Sequence, residues 1–289
     1  MGDAKHEQPS TPYAAMFEGF RKDLDEHYDR RERVVKASRD ITAASKKIIF
    51  TLQRLRNIGQ PLPPFTVKGN AQYWGTIAER YKAISADLQG LNAYRYNMQI
   101  THGNQEFMEA ICFQHYIETQ TLISYNEAKM RVAAMSGEAG VVQLTVEDYI
   151  LGIYDMTGEV MKFSITSMAT NGKLPAGKPK KGPQPSQEPP SDQPADKMDI
   201  DRGVTAQSEE QQPRNVLSDL RELRLRLEML EPPRTSKFRN EAEKKATVMR
   251  ESVEKVEKAL YNLTVRGSER PKGWVPGVRE ERRPEVESY

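Results

Sequence analysis

An all-α fold is what this sequence predicts: a single-domain helical bundle of about seven helices, with a very long first helix and a disordered insertion. Three observations carry that expectation. Apolar residues recur at three- and four-residue steps through most of the chain. No segment alternates convincingly as a strand. Ser124 with Glu127, and Thr145 with Asp148, have the spacing of capping boxes that open helices.

Residues 1–15 are expected as a disordered tail. From Met16 to about Arg56, Phe17, Phe20, Leu24, Tyr28, Val35, Ile48, Ile49, Leu52 and Leu55 hold a helical stripe uninterrupted by proline. About 40 residues at 1.5 Å each give a rod of about 60 Å, longer than one small bundle covers. It is therefore expected to extend into a neighbouring subunit or to scaffold the other helices. Arg21, Arg30, Arg33, Lys46 and Lys47 make this rod basic, but Asp23, Asp25, Asp29 and Glu32 are interleaved, which reads as a mixed-charge solvated face. Pro61, Pro63 and Pro64 end the segment and begin a turn.

A second helix is expected over 67–88 and a third over 91–122. The capping boxes open helices at Ser124 and Thr145, with Gly137 and Gly140 forming the loop between them. The second of these helices runs to about Ala169 and carries Gly152 and Gly158. Glycine costs roughly 1 kcal/mol against alanine in a helix, so close approach of another helix or of a ligand backbone is the expected compensation. From 171 to 213 the chain is rich in Pro, Lys, Gln, Ser and Asp, and it cannot bury enough surface to offset the entropy of ordering. Helix resumes over 215–230, stops at Pro232 and Pro233, and restarts over 236–265, where Val248, Val253, Val256, Leu260 and Leu263 supply the apolar face. The folded parts are thus 16–170 and 214–272, with 273–289 as a tail.

Composition narrows the function classes. Lys+Arg 43 against Asp+Glu 41 leaves a net charge of +2, so only local basic patches could attract a polyanion. Cys112 is the one cysteine, which excludes an intrachain disulfide and any cysteine-based zinc site and fits a reducing compartment. No apolar signal core and no bilayer-length run is present, and His6 stands where a myristoylation signal needs Ser or Thr. An intracellular soluble protein is expected. Lys178, Lys180 and Lys181 read either as an import signal or as a solubilising run. Gly172, Gly177 and Lys178 mimic a phosphate-binding loop, but Pro179 replaces the Mg²⁺-holding Ser or Thr and no strand or helix flanks it, so no nucleotide cofactor is expected.

Glu106 and Glu109 are the anomaly. They sit in the 91–122 helix, which is apolar on every side: their stripe carries Ala110, Phe113, Tyr116 and Ile117, and the opposite one Met108, Ile111 and Cys112. A helix apolar all round is covered by partners, and a buried unpaired carboxylate costs several kcal/mol or stays protonated. Two acids there call for a cation. Asp155 and Glu159, at i and i+4 on another helix, add a second pair. Oxygen-only ligands suit Mg²⁺ or Mn²⁺. Spacing alone leaves a plainer reading for the second pair, because Asp155 shares its face with Asp148, Lys162 and Thr166, as a solvated surface would. His115 lies well round the helix from the glutamates and reads as a packed polar residue. Packing is also the default for Trp74 and Trp274.

The runs QEFMEAICFQHYIETQTLIS (105–124), EDYILGIYDMTGEVMKFSITS (147–167) and YNLTVRGSERPK (261–272) resemble the translin superfamily, and within it the branch of translin-associated factor X, TRAX. The resemblance covers roughly 16–170 and 214–272, in order. Glu106 and Glu109 match the acids of a QE-x-x-EA motif, Asp155 and Glu159 those of a D-x-TGE motif. The Pro-rich block departs from the family pattern.

The resemblance implies that these four acids hold Mg²⁺, or Mn²⁺, and hydrolyse single-stranded RNA within a hetero-oligomer with translin. Single-stranded DNA is a second candidate ligand. Small-RNA strands and transfer-RNA fragments are the implied substrates, and cytoplasm and nucleus the implied compartments. Glu109 and Glu159 are expected as ligands, with Glu106 and Asp155 as further ligands or water-positioning bases, around one ion or two. Two rivals stand beside this: a non-catalytic nucleic-acid-binding or scaffold subunit whose acids pair with basic side chains, and a purely helical interaction protein.

Overall fold

The computed structural model describes residues 11, 13–177, 214–233 and 236–266. Trp274, Lys178, Lys180, Lys181 and all of the Pro-rich block beyond Gly177 lie outside the described residues. Eight α-helices are present among the described residues: α1 (Ala14–Leu52), α2 (Pro64–Ile84), α3 (Leu91–Arg95), α4 (Asn97–Thr119), α5 (Tyr125–Met135), α6 (Val146–Asn171), α7 (Val216–Glu228) and α8 (Lys237–Arg266). The all-α expectation holds, since the described residues pair as strand only at a single bridge, Ala176 with Asn215.

The extra helix arises because the expected 91–122 helix is broken at Tyr96. Its backbone leaves helical geometry (φ −105°, ψ 10°), its ring is buried and its hydroxyl lies 2.6 Å from His27 Nδ1 on α1. Anchoring that side chain on α1 outweighs continuing the helix. Boundaries shift elsewhere for local reasons. The first helix ends at Leu52 instead of Arg56. Pro64, expected in a turn, is instead the first residue of α2, where its missing N–H is no loss.

The two expected capping boxes are half-formed. Ser124 Oγ and Thr145 Oγ1 accept from the N–H of Glu127 (3.2 Å) and Asp148 (3.0 Å). The acid side chains, however, turn away, Glu127 to Arg131 at 3.0 Å and Asp148 into the core. The reciprocal box belongs to α7, between Asn215 and Ser218.

α4 packs on α1 and on α6, α6 on α8, α2 on α1, and α7 on α8. Phe107 at the centre takes the edges of Trp74 and Tyr81, with ring centroids 6.1 and 5.6 Å away, so Trp74 packs as expected. Two glycines permit the close crossings of α4. A Cβ on Gly103 would stand 3.0 Å from the Ser38 backbone of α1. One on Gly152 of α6 would collide with Met108 Cβ and lie 3.0 Å from the Gln105 carbonyl of α4.

Full burial along α1 begins only at Val34. N-terminal to it, Phe17, Phe20, Leu24 and Tyr28 are exposed, as a rod too long for its own bundle requires. The face of α8 differs in one position from expectation: Met249 is buried and Val248 is exposed. The start of the Pro-rich segment is also better placed than its composition suggests. Asn171 is still in α6, and the Pro175 carbonyl accepts the Val216 N–H at 3.2 Å.

Candidate metal centre

The local fold brings the four acids together. Glu106 and Glu109 at i and i+3 of α4, and Asp155 and Glu159 at i and i+4 of α6, all line one cleft of about 690 Å³. The Gly152 contact draws α6 onto α4 one turn before Asp155. A third wall is α1 and its C-cap, with Lys46, Phe50 and Gln53, and a fourth is α8, with Lys245, Val248 and Lys255. Beside Gly158 no atom stands within 4 Å of a Cβ position, so that glycine leaves room in the cleft where Gly152 serves packing.

The second pair is not on the solvated surface its spacing suggested. Glu159 is buried and the Asp155 side chain is 31% exposed, because α8 covers that face. Asp148, on the same helix, is buried too, accepting hydrogen bonds from Thr101, Asn104 (3.1 Å) and Gln105 (3.3 Å) on α4.

Three of the acids have cationic neighbours. Lys46 Nζ lies 3.3 Å from Glu106 Oε1 and Lys162 Nζ 2.6 Å from Glu159 Oε1. Lys245 pairs with Asp155. Gln53 Nε2 donates to both the Glu159 carbonyl and its Oε2, each at 2.8 Å. Glu109 differs. Its carboxyl has no hydrogen bond or ion pair among the described residues, and burial, followed by the negative charges of Asp155, Glu159 and Glu106, pushes its pKa up to about 8; Lys162 offsets this only in part.

The residues suit a hard divalent ion in their chemistry. All donors are carboxylate oxygens, Glu106 Oε2 is buried without a partner, and Glu109 faces three negative neighbours with no cation of its own. The side chains do not already stand as a ligand sphere: among the described residues no three His, Cys, Asp or Glu groups are so clustered. Ligation requires Glu106, Asp155 and Glu159 to rotate off their lysines. Lys46 and Lys162 are 61% exposed, so water takes up their charge when the carboxylates turn, whereas Lys245, 24% exposed, is the most enclosed of the three lysines.

Sequence reading singled out the acids and missed their counter-ions. Lys162 carried a signal, three residues after Glu159. Lys46, Gln53 and Lys245 carried none, because they arrive from α1 and α8 through tertiary packing. His115 takes no part in the cleft lining and has its Nε2 3.1 Å from Thr121 Oγ1. No helix of the described residues is long and apolar enough to cross a membrane.

The family described as Translin matches residues 29–267. The chain is 28% identical, over 294 aligned positions, to translin-associated protein X of Rattus norvegicus, covering 96% of this chain and 87% of that protein. It is 34% identical over 152 residues to the translin-associated protein X homolog of Schizosaccharomyces pombe, covering 52% of this chain and 61% of that one. In fold it is similar to the crystal structure of apo-NeC3PO, with a TM-score of 0.52 and 14% identity over 87% of this chain and 100% of that one.

Proposed function

The chain belongs to the translin family, and from that premise we propose that it is the Mg²⁺-dependent endoribonuclease subunit of a hetero-oligomer with translin, acting on single-stranded RNA. One observation carries the reading: Glu109 sits on the floor of the cleft with its pKa raised by burial and by three other acids, an arrangement that stabilises nothing in the chain itself. Perturbed groups gathered in a cleft mark functional sites. The name of its relatives, translin-associated protein X, supports translin as the partner.

On this reading Glu109 of α4 and Glu159 of α6 are the ligands of Mg²⁺, or Mn²⁺. Bound there, the ion supplies positive charge to a phosphodiester under attack. Glu106 and Asp155 flank that pair as further ligands, or accept the proton of the attacking water. Once their carboxylates turn inward, Lys46, Lys162 and Lys245 are left as ammonium groups at the wall, where they hold the phosphates of the strand. On this reading the protein works in the cytoplasm and nucleus.

The pairing of three acids with lysines favours a second reading, a non-catalytic scaffold whose charges serve packing. Single-turnover cleavage of single-stranded RNA separates the two, using the complex co-purified with translin in Mg²⁺. Glu109→Ala and Asp155→Asn are expected to slow cleavage by on the order of 10–100-fold or more, as loss of metal-site groups does. Equal rates in wild type and both variants refute the nuclease reading.

A further inference from the structure

The lining of the cleft is sorted by depth. The four carboxylates are buried or half-buried on its floor, whereas the exposed lining residues are Lys46, Phe50, Lys162, Val248 and Lys255, each cationic or apolar. Phe50 stands out among them. It is 64% exposed, on the α1 face that also carries Lys46 and Gln53 (i−4 and i+3), and its ring lies beneath the Arg54 guanidinium at 4.8 Å from the centroid. An aromatic ring backed by arginine on one face offers its other face for stacking. Lys255 has no ion pair among the described residues, so its charge is free for a phosphate.

We propose that Phe50, backed by Arg54, is a base-stacking platform that lays a single strand of RNA across the acidic floor, with rim lysines Lys46 and Lys255 gripping its phosphates. This assignment rests on the nuclease reading and specifies how the substrate is held. A ring at the cleft mouth takes only an unpaired base, because in a duplex both base faces are covered. It is tolerant of sequence, since every base has a π face. The charge pattern favours nucleic acid over an apolar protein surface: a protein helix docked here would bury three lysines against apolar side chains, at a desolvation cost it could not recover.

The test uses the full chain co-purified with translin, and fluorescence anisotropy in Ca²⁺, to limit turnover. Binding of a labelled oligouridylate is compared with an abasic ribose-phosphate oligomer of equal length. Wild type is expected to prefer the base-bearing strand. Phe50→Ala should lose that preference, weakening oligouridylate binding between about fivefold and a hundredfold with little change for the abasic strand. Phe50→Trp should retain it, and Phe50→Leu, apolar but without a π face, should not. Lys255→Gln should weaken both strands alike and flatten the dependence on salt.

Equal preference in wild type and Phe50→Ala overturns the platform, as does failure of Phe50→Ala to co-purify with translin, which would make Phe50 a protein contact. Wild-type cleavage in Mg²⁺ is scored separately. Cleavage without a Phe50-dependent preference leaves the nuclease and removes the platform; a Phe50-dependent preference without cleavage does the reverse.

Discussion

Replacing Glu109 by glutamine should make the isolated chain more stable at neutral pH, against the usual direction for a change at a buried position. The carboxyl titrates at 4.5 in its ordinary state and at about 8 in the fold. Below pH 4.5 it is protonated both folded and unfolded, and contributes no difference. Between 4.5 and 8 the folded chain holds the extra proton, so stability falls as pH rises; above 8 the penalty is complete. Each pH unit in that window is worth about 1.36 kcal/mol, so at pH 7 the 2.5 units above 4.5 amount to about 3 kcal/mol. Glutamine keeps the shape and removes the charge.

For a domain of this size that corresponds to a rise in Tm of roughly 6–12 °C, read by thermal or urea unfolding from pH 4 to 8.5. The gap between variant and wild type should open steadily from about pH 4.5 and level off near pH 8. Millimolar Mg²⁺ at pH 8 should raise the wild-type Tm and leave that of Glu109→Gln nearly unchanged. A variant that is less stable than wild type at pH 7, or whose gap does not depend on pH, removes the electrostatic reasoning for the site.

Two glycines six residues apart on α6 should respond in opposite directions. Gly152→Ala drives a methyl group into Met108 and should cost about 1–3 kcal/mol in urea unfolding, whereas Gly158→Ala meets nothing within 4 Å and should stabilise by about 0.5–1 kcal/mol through helix propensity. Asp219 is buried and accepts from Tyr116 Oη at 2.7 Å, Gln120 Nε2 at 2.8 Å and Arg214. Asp219→Ala, which strands those donors, should cost about 2–3 kcal/mol, measured by the same unfolding, while leaving the metal response of Glu109 in place.

What could be read from the chain in advance divides along the line between local and long-range physics. Helix spacing and prolines in the sequence locate the rods, and the apolar surround of Glu106 and Glu109 marks them as misplaced unless something compensates. Asp155 and Glu159 were harder, since period alone cannot say that α8 will lie over their face; α8 is joined to α6 through α7 and the Pro-rich block, and nothing within a turn of Asp155 encodes its arrival. The break at Tyr96 depends on a partner 69 residues away. The exposure of Val248 follows from where the cleft opens, a property of four helices at once. Local propensity sees none of these.

The balance of charge in the cleft bears on which reading the chain supports. A network built for stability would set its best cation against its most perturbed acid, because that is where pairing gains most. Here the reverse holds. Lys46 and Lys162 lie largely in water and serve Glu106 and Glu159, Lys245 serves the more open Asp155, and Glu109, with three like charges pressing on it, has no counter-ion among the described residues. Salt bridges account for three of the acids and leave the fourth unexplained. A residue that weakens the fold holding it is understandable where the site awaits a charge from outside, and a hard cation that draws on all four carboxylates removes the repulsion and frees the lysines in one event. That coupling predicts that metal affinity and phosphate affinity rise together: at pH 8.5, where the Glu109 carboxyl is ionised, Glu109→Gln should weaken RNA binding in Ca²⁺ as well as Mg²⁺ binding, even though it removes a negative charge from the cleft. If Glu109→Gln instead tightens RNA, simple repulsion governs the cleft and the lysines are not released by the ion.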